Sequence, residues 1–168
     1  SNKLFQLFII IECRKGIPEM ERKPMETSTE IEVRYAETDG MGVVYHANYL
    51  VYLEVARTDF LNKLGFPYAD IEKAGYLSPV VHVDLSYGLP FRYGDTVVVK
   101  THVTKVTPVR TQYTCKMYLK GEDPEKVKPH FTAVTSHCVC DKETFKPVSQ
   151  KKLFPDLFEA YKRVCYSE

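Results

Sequence analysis

Polar and apolar residues alternate over 29–35 (Thr-Glu-Ile-Glu-Val-Arg-Tyr), the period of a strand with one face on a core. From Asn48 the period changes. Leu50, Leu53, Ala56, Phe60, Leu61 and Leu64 recur at helical spacing, while Glu54, Arg57, Asn62 and Lys63 fall mainly elsewhere, and Gly65 with Pro67 supplies a stop. The pattern predicts a helix of about 17 residues, or roughly 25 Å, which needs a large partner surface. A short helix is expected over Tyr68 to Lys73, ending at Gly75.

Alternation then returns. Val81, Val83, Leu85 and Tyr87 interleave with His82, Asp84 and Ser86, and similar runs cover Thr96 to Val106, Gln112 to Leu119 and Phe131 to Cys140. The separators Leu89-Pro90, Tyr93-Gly94-Asp95, Thr107-Pro108 and Gly121-Glu122-Asp123-Pro124 are turn chemistry, too short for parallel crossovers, so the sheet is expected to be antiparallel. Lys151 to Arg163 reads as a C-terminal helix with Pro155 near its first turn. One sheet of five or six strands wrapped around one long helix buries both apolar surfaces, giving an α+β domain whose edge strands invite pairing between subunits.

Composition narrows the function. Lysine plus arginine (23) nearly balances aspartate plus glutamate (22), so no field of one sign exists to hold nucleic acid or an anionic membrane. The five cysteines (Cys13, Cys115, Cys138, Cys140, Cys165) lack paired spacing, which points to a reducing compartment and hence the cytoplasm. His137, Cys138 and Cys140 do not match a zinc module and read as packing residues, so no metal is expected. The run Leu4 to Ile11 is interrupted by Gln6 and is far shorter than the ~20 residues that span a bilayer. Glu12 and the scarcity of preceding positive charge disfavour a secretion signal ending at Cys13. Met20 and Met25 are alternative starts, so residues 1–25 read as an extension and 26–168 as the single functional domain.

Between the first strand and the long helix lies Arg34-Tyr-Ala-Glu-Thr-Asp-Gly-Met-Gly-Val-Val-Tyr-His-Ala-Asn-Tyr49, with Asp39-Gly40 and Gly42 permitting a sharp reversal. His46 and Ala47 sit where the helix begins, so their amides are unpaired within it and share the positive end of its dipole. Asp39, seven residues before His46, is then a candidate general base or nucleophile facing an oxyanion site, and the residues leave that choice open. The chain contains no Gly-x-Ser-x-Gly elbow. Glu37 reads as a solvated loop acid, and Tyr45 and Tyr49 as residues that pack the loop.

Glu37, Thr38, Asp39, Gly42, Val43, Val44, Tyr45, His46, Asn48 and Tyr49 resemble the signature of hotdog-fold acyl-CoA thioesterases of the 4-hydroxybenzoyl-CoA thioesterase family, especially its Tol-Pal-associated branch. Glu54-Val-Ala-Arg-Thr58 is similar to that branch's helix, and the likeness in order extends to about residue 145. The resemblance implies acyl-CoA hydrolysis without a cofactor, with Asp39 catalytic and the His46 backbone amide as the chief oxyanion donor. It also implies a homodimer or homotetramer with the pantetheine tunnel between subunits. Val43, Met41 and Tyr45 are candidates for the substrate side, and Arg92 and Arg110, with Lys105 and Lys120, for the nucleotide end of CoA. Hydrolysis of acyl groups on an acyl carrier protein and a non-catalytic acyl-binding module are the alternatives.

Overall fold

The computed structural model describes residues 22–166. Cys13, the Leu4 to Ile11 run and most of the expected N-terminal extension lie outside the described residues. The described elements are β1 (Glu26–Glu32), a single 3-10 turn (Tyr35–Glu37), α1 (Asn48–Leu64), α2 (Tyr68–Lys73), β2 (Tyr76–Leu77), β3 (Val80–Tyr87), β4 (Thr96–Val106), β5 (Arg110–Leu119), β6 (Phe131–Cys138), β7 (Cys140–Asp141), α3 (Gln150–Leu153) and α4 (Pro155–Val164). Five strands form one antiparallel sheet in the order β1-β4-β5-β6-β3, and β2 pairs separately with β7.

Alternation along β4 sets the sheet's inner face. Val97, Val99, Thr101 and Val103 are buried, with the residues between them half-buried. The long helix α1 lies across this face against β1 and β4, and Tyr49, Tyr52, Leu53, Ala56, Phe60 and Leu61 are its buried side. Of the expected stripe, Leu53, Ala56, Phe60 and Leu61 are buried and Leu64 is half-buried, and the departures lie at its edges. Leu50 is exposed, while Tyr49 and Tyr52 point inward and Arg57 is buried beside Glu54 and the ring of Tyr68. A tyrosine can bury its ring and satisfy its hydroxyl locally, so ranking positions by aliphatic character misses the part of the face that Tyr49 and Tyr52 form. The helix stops as expected: Gly65 is left-handed (φ 91°), its amide bonds Asn62 O and the Phe66 amide bonds Leu61 O.

Other departures have local causes. The first strand starts and ends three residues earlier than expected, because pairing with β4 stops at Glu32↔Thr96 and the chain then turns into a capped 3-10 turn. The C-terminal helix is broken at Phe154 (φ −131°, ψ 61°), since Pro155 disfavours a helical predecessor and starts a new helix. β6 ends at Cys138, and Cys140, the last residue expected in that strand, pairs instead with Leu77 of β2. The folded unit extends upstream of residue 26. The Lys23 and Met25 amides bond the carbonyls of Arg163 and Val164, and Met25 packs on the core beneath the C-terminal helix.

His137 is buried on β6, its Nε2 bonded to Thr135 Oγ1 at 3.1 Å. Burial, reinforced by the charge of Arg57, pulls its pKa down to about 4. The unfolded chain therefore binds the proton more readily than the folded one. The difference costs the fold nothing above pH ~6.5 and about 3 kcal/mol of stability as the pH drops from there toward ~4. Urea midpoints at pH 7 and 4.5 are expected to differ by less in His137→Gln than in the parent; equal differences would remove this role.

Candidate active site

The loop between β1 and α1 is a small ladder. Thr38 and Val44 face each other, the Asp39 amide bonds Val43 O at 2.9 Å, and the Tyr45 amide bonds Glu37 O at 2.8 Å. Of the two glycines, Gly42 carries the reversal with φ 72°, its amide bonding Asp39 O. The Met41 amide donates to Asp39 Oδ1 at 2.8 Å, an Asx turn that fixes the carboxylate. Among the described residues, Asp39 Oδ2 takes no hydrogen bond, so one oxygen of a half-buried carboxylate is left for a substrate or water.

The ladder runs directly into the helix start. Asn48 ties the two together, its amide bonding Tyr45 O and its Nδ2 bonding Glu37 O at 2.8 Å. The N-cap position is Ala47, whose side chain offers no acceptor, so no side-chain oxygen caps α1, and the Asn48 and Leu50 amides take the Tyr45 and Ala47 carbonyls instead. Among the described residues, neither the His46 nor the Ala47 amide meets a backbone acceptor. The His46 carbonyl is held by the Tyr87 hydroxyl at the end of β3 (2.9 Å). Two hydrogen-bonding ends, a free carboxylate oxygen and the open His46 and Ala47 amides just before the helix, thus belong to one braced unit.

The brace includes a residue whose environment the sequence misled. Glu37, expected to be solvated, is 7% exposed. Its Oε1 accepts from Arg34 Nε (3.0 Å) and Nη2 (2.8 Å), and its Oε2 accepts from the Arg34 amide (2.9 Å) and the Tyr52 hydroxyl (2.8 Å). Burial pushes its pKa up, but the Arg34 amide and guanidinium and the Tyr52 hydroxyl outweigh burial and leave the carboxyl below its ordinary range. Four donors make a charged buried carboxylate tolerable, which explains why this acid turns inward.

The other candidates divide. Tyr49 is buried, stacked on Phe131 with ring centroids 5.0 Å apart and near the Phe91 amide, so it packs the loop as expected. Tyr45 is 45% exposed, against the ring of His46, and is therefore less a packing residue than expected. Val43 is half-buried and Met41 is exposed. Arg92 reaches the loop, its Nη1 bonding Gly42 O at 3.3 Å. Arg110 does not: it begins β5, whose far end Leu119 pairs with Val97, so within one chain it stands roughly 30 Å from the loop end of the sheet. Lys105 lies toward that far end of β4, and Lys120 near the loop end is paired to Glu30. His137, Cys138 and Cys140 are buried, and no group of side chains suited to a metal occurs among the described residues. Sequence reasoning missed Tyr52, Tyr87 and the Arg34–Glu37 pair; only the last had a readable signal, opposite charges three residues apart.

A five-stranded antiparallel sheet crossed by one long helix, with an acidic loop leading into an uncapped helix start, defines a class, and residues 33–160 match the Thioesterase-like superfamily. The chain belongs to that superfamily, and its fold is the hotdog fold. The putative acyl-CoA thioesterase YneP of Bacillus subtilis is 48% identical over 134 residues, 80% of this chain and 94% of that protein. A DHNA-CoA thioesterase of Staphylococcus aureus superposes with a TM-score of 0.76 at 43% identity, covering 83% of this chain and 90% of that one. The acyl-CoA thioesterase YbgC of Helicobacter pylori is 28% identical over 131 residues, 76% of this chain and 96% of that protein.

Proposed function

We propose that the protein hydrolyses acyl-CoA thioesters to a carboxylic acid and CoA, with Asp39 as the reacting carboxylate. The observation that carries this reading is the free Asp39 Oδ2 on a loop braced against an uncapped helix start. In one route Asp39 takes a proton from water while the water oxygen attacks the thioester carbon. In the other, the carboxylate oxygen attacks, forming a mixed anhydride that water then opens. Both routes put negative charge on the carbonyl oxygen, received by the His46 amide at the positive end of α1, and both expel the CoA thiolate. The thiolate is a good leaving group, so neither route demands a strong general acid.

Val43 and Tyr45 are assigned to the acyl side and Arg92 to the CoA side; Arg110 serves one chain's site only if a second copy carries it there. A second copy also covers the apolar residues Leu50, Val51 and Val55 that α1 leaves exposed and the edge strand β3 with Val80 and Val81. Membership of the 4-hydroxybenzoyl-CoA branch rests on the loop motif, and a cytoplasmic location on the unpaired cysteines.

The test is thiol release across short, long and aromatic acyl-CoAs, the last including DHNA-CoA, with one acyl chain also presented on an acyl carrier protein. Turnover of at least one CoA ester is expected, with the carrier-bound ester slower. No release from any ester would leave a non-catalytic acyl-binding module, and preference for the carrier would move the substrate.

A further inference from the structure

We propose that Glu37 and Tyr52 are positioning residues for catalysis, locking the Asp39 loop to the start of α1 in the geometry the reaction needs. The inference rests on the assignment of Asp39 above and adds what holds it. Glu37 sits two residues before Asp39 and joins three parts of the site. Its carboxylate is bound by Tyr52, which is 1% exposed in the second turn of α1, and by both ends of Arg34. Its carbonyl is bound by the Tyr45 amide and by Asn48 at the first position of the helix. The ladder that sets the Asp39 backbone therefore has one end fastened to the helix twice, by Asn48 at its first position and by Tyr52 one turn further in.

A loop crossing to a helix start through glycines has inherent freedom, and a displacement of about 1 Å at a reacting group can cost on the order of 100-fold in rate. A buried, fully satisfied carboxylate is a stiff fastener because releasing any donor leaves a polar group unpaired away from water. The Tyr52 hydroxyl has no other partner among the described residues, and its proton is held firmly: burial and the neighbouring carboxylate both raise its pKa. Arg34 is different, since its side chain is mostly exposed and it forms the outer arm.

Tyr52→Phe removes one hydroxyl and leaves the ring packed. It is expected to lower kcat by about 10–100-fold while KM stays within about 3-fold, because the substrate-binding surface is untouched. Arg34→Ala, at an exposed side chain, is expected to fold and to lower kcat in the same sense by a smaller factor. Both are measured beside Asp39→Asn at temperatures where circular dichroism shows each variant folded. If Asp39→Asn is inactive while Tyr52→Phe and Arg34→Ala retain parental kcat, or lose activity only in proportion to their folded fraction, positioning is overturned and the catalytic assignment stands. If Asp39→Asn keeps parental activity, the catalytic assignment fails and the positioning role with it.

Discussion

Asp39→Asn is expected to lower kcat by about 10²–10⁴-fold while leaving the unfolding midpoint close to that of the parent protein. The amide keeps the size of the carboxylate and can still accept from the Met41 amide through its oxygen, so the Asx turn that shapes the loop survives. What disappears is the negative charge and basicity of the group. Asparagine can neither take a proton from water nor form an anhydride, so both routes fail at the same atom. KM is expected to change little, because Asp39 Oδ2 meets its reacting partner in the transition state rather than anchoring CoA. The measurement is steady-state thiol release with the ester that the parent turns over fastest, together with thermal unfolding. Parental kcat in a folded Asp39→Asn protein would dismiss this residue from the chemistry.

Phe60→Ala is expected to destabilise the fold by about 3–5 kcal/mol, a large part of the 5–15 kcal/mol that holds a typical domain together. Phe60 is fully buried on α1, edge-to-face with Tyr113 of β5 at 5.7 Å, in the cluster that joins the helix to Val103 and the C-terminal helix. Removing the ring forfeits its burial and opens a cavity under a rigid sheet that cannot collapse into it. For a chain of this size the loss corresponds to a fall in Tm of about 10 °C. The Asp39 loop rests on the other cluster, around Tyr52, Phe91 and Met117, so activity per folded molecule is expected to persist below the new transition. A loss under about 1 kcal/mol in urea unfolding would show that this cluster does not carry the load assigned to it.

Much of the fold is legible from period alone, for reasons these two sites illustrate. The helix 48–64 announces itself because its stripe recurs at 3.6 residues and a glycine closes it. β4 reads directly because one of its faces is packed and the other is not. Where periodicity erred, the error came from side chains whose burial is decided by the neighbours they meet rather than by their own polarity. Arg57 is buried because Glu54 and the ring of Tyr68 meet it, and Leu50 is exposed because Tyr49 and Tyr52 occupy the inner face. The short pair β2–β7 is invisible because two residues have no period.

The candidate site divides the same way. The linear chain by itself determined that an acidic loop with glycines at Gly40 and Gly42 leads into a helix, and that residue types there suit thioester chemistry, because turn chemistry and helix polarity are local properties. The tertiary structure alone decided that Glu37 turns inward to Tyr52, that Tyr87 holds the His46 carbonyl from β3, and that Arg92 joins the loop while Arg110 stands at the far end of the sheet. Those outcomes depend on which strand lies beside which and in what register. That is set by the packing of the whole sheet against α1, and no window of neighbouring residues contains it.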